Sequence, residues 1–120
     1  MRLGGRWNGQ EVVPKTILDE CFKPAKANPA YGMTWWLLGT GEANSAAVAD
    51  GSALEPQVRR VLEERQRLGF QPPKDTAAAM GKGKNHCYVV PSLELVVIRM
   101  GDSQGREFSV NEFLAKLLGR

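Results

Sequence analysis

At 120 residues the chain suits a single domain, able to bury about two thirds of its unfolded surface. Its net charge of +3 is mild and its basic residues are scattered among acids, which argues against a nucleic-acid partner, because such binders gather cations on one face or stripe. No apolar run nears the ~20 residues that span a bilayer, the single histidine excludes a histidine-rich metal site, and the first nine residues hold no apolar signal core, so no export address is expected.

Arg2-Leu3-Gly4-Gly5 reads as the last turn of a helix, and Gly5-Arg6-Trp7-Asn8-Gly9 as a turn, since Asn-Gly takes left-handed backbone angles readily. A domain seldom opens on the end of a helix, which points to one incomplete domain over residues 1–120. Val13-Pro14 then starts a helix over about 15–22 with Ile17, Leu18 and Cys21 on its inner face, ended by Pro24. The aromatic run Tyr31–Leu38 predicts a strand over 31–38, with Trp35 and Trp36 on opposite faces and both in the core. Residues 39–52 read as a glycine-rich loop.

A helix over 55–68 follows. Leu54, Val58, Val61, Leu62 and Leu68 keep its inner spacing, and Arg59, Arg60, Glu63, Glu64 and Arg67 its outer face. Gly69 stops it and Pro72-Pro73 prevents its resumption. The segment 75–79 carries no clear signal.

The densest β-branched sequence lies between Met80 and Met100 and predicts strands over 86–90 and 93–100, turned at Pro91-Ser92. The second run is apolar at nearly every position, so it is expected to be central and covered on both faces. Ser109-Val110-Asn111-Glu112 is a capping box that opens a helix over 110–118, with Val110, Phe113, Leu114 and Leu117 inward and Gly119 as its stop. The expected fold is α+β: an antiparallel sheet of strands 31–38, 86–90 and 93–100 with helices 15–22, 55–68 and 110–118 packed against it. Cys21 and Cys87 form no C-x-x-C pair and are expected as buried free thiols.

Motifs of known chemistry are absent. The sequence has no G-x-x-x-x-G-K-[ST], no H-E-x-x-H and no G-x-S-x-G, and no metal or cofactor is expected. The cationic stretch Gly81-Lys82-Gly83-Lys84-Asn85, taken by its spacing alone, reads as a solvated turn. His86 reads as a residue flanking a strand, not as a base.

Three stretches in this order resemble the C-terminal portion of serine hydrolases of the β-lactamase and penicillin-binding-protein family: G-G-R-W-N-G-Q-E-V-V-P-K over 4–15, N-P-A-Y-G-M-T-W-W-L over 28–37, and Y-V-V-P-S-L-E-L-V-V-I-R-M-G-D over 88–102. The resemblance implies a partial β-lactamase/transpeptidase-like fold. It also implies a parent that hydrolyses a small-molecule ester, amide or β-lactam through a serine acyl-enzyme. No serine here is followed three residues later by lysine, and neither tyrosine begins a Tyr-x-Asn, so the chain alone is expected to be inactive.

Only the family's Lys-[Ser/Thr]-Gly element has a counterpart, at Lys82-Gly83-Lys84, with glycine in the hydroxyl position and lysine in the glycine position. The resemblance makes Lys82, Gly83 and Lys84 candidate substrate-binding residues, Lys82 and Lys84 attracting a carboxylate. Relatives in that family are often exported in bacteria, which bears on the parent. Two alternatives stand beside this reading: a stand-alone, non-catalytic binding module, and a fragment that complements a separately made N-terminal half.

Overall fold

The computed structural model describes residues 4–39, 55–101, 105 and 107–119. The expected loop over 40–52, the helix end before Gly4, and Leu54 lie outside them, as do the side chains of Val58, Arg59, Val61 and Leu62. The chain opens with a two-stranded hairpin, β1 (Arg6–Trp7) and β2 (Gln10–Glu11), followed by helix α1 (Lys15–Cys21). Strand β3 (Trp36–Leu37) precedes helix α2 (Glu55–Leu68). Strands β4 (Ala77–Met80), β5 (His86–Val90) and β6 (Leu95–Arg99) come next, and helix α3 (Val110–Leu118) closes the chain. The fold is α+β, with an antiparallel sheet of order β3-β4-β5-β6.

The Asn-Gly turn is present, with both residues in the left-handed region (Asn8 φ 48°, Gly9 φ 78°). It joins two short strands, a hairpin that the sequence reading treated as turn alone. In α1 no residue is buried, and Ile17 is exposed instead of lying inward. The expected strand over 31–38 shrinks to two residues. Thr34 takes φ 65°, the chain doubles back there, and Tyr31 forms an antiparallel bridge with Trp36. Trp36 is consequently exposed, while Trp35 is half-buried against the Phe22 ring.

Strand β4 was not legible, because alanine has little β-propensity. It forms because β3 and β5 pair with it on either side, in the register Leu37↔Ala77 and Ala78↔Tyr88. Small side chains here let the layer above approach closely. Phe70, Ala78, Tyr88 and Leu114 make the core, with Leu38, Leu68, Met80, Val97, Val110, Phe113 and Leu118 packed around it.

Helix α3 thus covers one face of the sheet. Ser109 caps it, its Oγ accepting from the Glu112 N–H at 3.0 Å, and Gly119 (φ 66°) ends it. The inward face differs from expectation at two positions: Asn111 is buried and Leu117 is exposed. The Glu112 carboxylate does not simply close the capping box. It pairs with Arg67 of α2 at 3.1 Å.

The largest departure concerns β6. It lies at the edge of the sheet, not its centre, and its residues alternate between half-buried and exposed. Val96, Ile98 and Met100 are 46%, 66% and 81% exposed. An all-apolar run signals burial on both faces only when both faces find cover, and among the described residues the outward face of β6 does not.

Candidate functional site

The segment 81–85 links β4 to β5 and ends the sheet beside Arg99 of β6. Residues Lys82–Lys84 form one 3-10 turn, all of it exposed. Two successive residues carry positive φ: Gly83 at 71° and Lys84 at 62°. Glycine adopts that region without the steric penalty of a Cβ, so Gly83 permits the reversal that returns the chain into β5.

The turn is tied from two sides. Asn85 Nδ2 donates to the Lys82 carbonyl at 2.9 Å, and Asn85 Oδ1 accepts from the Gly101 N–H at 2.9 Å. The Arg99 guanidinium donates to the Lys84 carbonyl and, at 3.3 Å, to the Gly101 carbonyl. The turn's backbone is therefore fixed while the side chains of Lys82 and Lys84 extend into solvent. With Arg99 they make a cationic end to the sheet.

Beneath the turn lies an aromatic cluster. Arg99 stacks on the Phe108 ring with its guanidinium carbon 4.2 Å from the centroid, a cation–π contact. The His86 ring packs edge-on against Phe108 (5.5 Å) and Tyr88 (5.6 Å), and Phe113 completes the group. His86 Nδ1 is 2.6 Å from the Tyr88 hydroxyl. His86 is 6% exposed and Tyr88 fully buried.

Burial, with Arg99 and Lys84 close by, holds the His86 imidazole below its ordinary value. Burial pushes the Tyr88 hydroxyl up to about 12, against a smaller pull from Arg99. The Tyr88 hydroxyl thus keeps its proton beside a neutral His86, and one hydrogen bond joins them, its direction set by the imidazole tautomer.

The structure brings the three sequence-predicted residues together on one turn and adds three that sequence reasoning missed as a group. Asn85 and Arg99 hold the turn, and His86 underlies it. The missing signal is distance along the chain, since the partners come from 81–86, 99–101 and 108. A local cue existed only for Asn85, a residue type that commonly bonds its own backbone in turns.

A second polar group was equally hidden. Arg65 of α2 is 6% exposed. Its Nε donates to Asn111 Oδ1 at 3.2 Å and its Nη2 to the Leu38 carbonyl at 2.9 Å, while Asn111 Nδ2 donates to Glu64 Oε2 at 2.8 Å. Burial lowers the proton affinity of the guanidinium and nearby Glu64 raises it. The Nη1 group is buried with no partner among the described residues. This network joins Leu38, the residue after β3, to α2 and α3. On the other face of the sheet, Phe22, Leu37, Ala77, Val89 and Pro91 line a cavity of about 190 Å³ together with Lys74, Asp75 and Thr76.

Among the described residues no group of three or more His, Cys, Asp or Glu side chains is placed to hold a metal ion, and no helix is long and apolar enough to cross a membrane. Cys21 and Cys87 are free, half-buried thiols. No family model, no curated protein and no solved structure matches the chain.

Proposed function

We propose that this chain is the C-terminal sheet portion of a β-lactamase-like serine hydrolase. Its parent cleaves a small-molecule ester, amide or β-lactam through a serine acyl-enzyme. The chain supplies one corner of that site, with Lys82 and Lys84 attracting a substrate carboxylate from the turn that Gly83 allows. The nucleophile and its lysine come from another part of the parent, since none of the 120 residues makes a Ser-x-x-Lys.

The observation that carries the reading is the fixed cationic turn at one end of an antiparallel sheet. A preformed backbone that presents cations suits recognition of an anionic substrate group. Among the described residues β6 has an open edge, with Val96 and Ile98 exposed beside it, which favours the complementing arrangement over a stand-alone module. An unpaired apolar edge is a template for a further strand.

Purified chain incubated with nitrocefin or p-nitrophenyl acetate is expected to show no serine-dependent turnover. Mixing it with an N-terminal half that bears Ser-x-x-Lys is expected to restore turnover. Lys82→Ala should then raise KM for a carboxylate-bearing substrate about ten-fold, the loss of one charge-assisted contact. Turnover by the chain alone, blocked by a serine-directed acylating agent, refutes the assignment.

A further inference from the structure

We infer that His86 is an acid-sensitive latch on the Lys82–Lys84 turn: a proton on its imidazole loosens the hold of Arg99 on the turn. The inference rests on the reading above for what the turn binds, but not for how the latch works.

The geometry begins with register. His86 of β5 pairs directly with Arg99 of β6, so the two side chains stand on the same face of the sheet. Phe108 touches both, its ring 5.5 Å from the His86 ring and 4.2 Å from the Arg99 guanidinium. The same guanidinium holds the carbonyls of Lys84 and Gly101. One arginine therefore reports to the histidine on one side and to the turn on the other.

Neutral His86 satisfies this arrangement. Its Nδ1 shares one hydrogen bond with Tyr88, whose hydroxyl stays protonated in its buried position. A proton taken from solvent makes both ring nitrogens donors, which leaves the Tyr88 hydroxyl only the acceptor role toward Nδ1. The same proton sets a second cation directly opposite Arg99, which is destabilising across a strand pair.

The surroundings offer little to offset that charge. From the turn His86 faces Lys84, and from β6 Arg99. On β4 its pairing partner is Met80. The segment packed over it presents the uncharged ring of Phe108, with the exposed acid Glu107 next to it in the chain. Glu112, the next acid on that segment, is paired with Arg67. Displacing Arg99 outward relieves the like-charge contact and frees the Lys84 and Gly101 carbonyls.

The test is a titration of the full chain from about pH 8 to about pH 4, which spans the ordinary histidine range and the lower values to which burial moves His86. It is followed by amide and imidazole NMR signals. The backbone signals of Lys84, Asn85 and Gly101 are expected to move in step with the His86 imidazole. In His86→Gln they should stay flat. In Arg99→Gln the imidazole should still titrate while the turn signals no longer follow it, which keeps the test decisive where His86→Gln fails to fold. Turn signals that stay still while wild-type His86 titrates overturn the inference, as does equal movement in His86→Gln. Loss of carboxylate recognition by Lys82→Ala bears only on the substrate reading, so the two proposals fail separately.

Discussion

Gly83 and Gly39 show two different reasons for a glycine. A Cβ built on Gly39 would lie 1.9 Å from the Pro73 carbonyl oxygen, so a side chain there collides with backbone. A Cβ on Gly83 would meet nothing closer than Asn85 Nδ2 at 3.5 Å, which is ordinary contact. At Gly83 only the backbone angle, φ 71°, resists substitution. Gly83→Ala is therefore expected to cost about 1 kcal/mol, the left-handed penalty for an L-residue, visible as a lower urea midpoint with an unchanged slope. Gly39→Ala, which forces backbone apart, should cost clearly more in the same assay. Sequence alone showed a glycine at each position. Which reason applied depended on Pro73 in one case and on open space in the other.

At the scale of elements, the hairpin and the helices at 55–68 and 110–118 were legible because each carries a local signature. Those signatures are the β-branched run, the helical spacing, and Ser109 three residues before Glu112. The elements that failed lacked one or were overridden. Ala77–Ala79 became a strand through its neighbours, and Tyr31–Leu38 was broken by the turn at Thr34.

The edge position of β6 was illegible for a further reason. Val96 and Ile98 look the same to hydropathy whether they face a core or solvent. Its placement has a measurable result. Ile98→Lys, at an exposed edge position, should leave the urea midpoint within about 0.5 kcal/mol of wild type. It should also reduce self-association at high concentration, because inward or edge charges suppress strand-to-strand pairing. Sedimentation of the two proteins side by side checks this, and a large loss of stability would mean that Ile98 is covered. The candidate site was legible in part. The Lys-Gly-Lys stretch was conspicuous, but its fastening by Asn85 and Arg99 required strand register.

For the molecule as a whole, pH enters through proton balance. The folded state holds the His86 imidazole below its ordinary value, chiefly by burial and then by Arg99 and Lys84. The unfolded chain, with histidine near its usual ~6.5, binds the proton more readily. Below about pH 6.5 the unfolded state therefore takes up more protons than the folded one, and stability falls as pH falls. The contribution is complete above that value. It declines through the interval down to the folded-state value and then levels off. Urea unfolding of wild type and His86→Gln at matched pH is expected to show the difference between them changing over that interval and constant above it. A difference that is constant throughout would place His86 outside the pH response.

The sheet order β3-β4-β5-β6 repeats the order of the strands in the chain. The β4–β5 and β5–β6 connections span only residues 81–85 and 91–94, whereas β3 and β4 are separated by residues 38–76. Closing a short loop costs less chain entropy than closing a long one, so β4, β5 and β6 are the natural first assembly during folding. The turn with Lys82 and Lys84 is one of the two reversals that such an assembly must make. Its backbone geometry is then set early, before the Arg65 bonds join Leu38 and Asn111 across the length of the chain. A single short turn thus serves both the order in which the protein is made and the surface it finally presents.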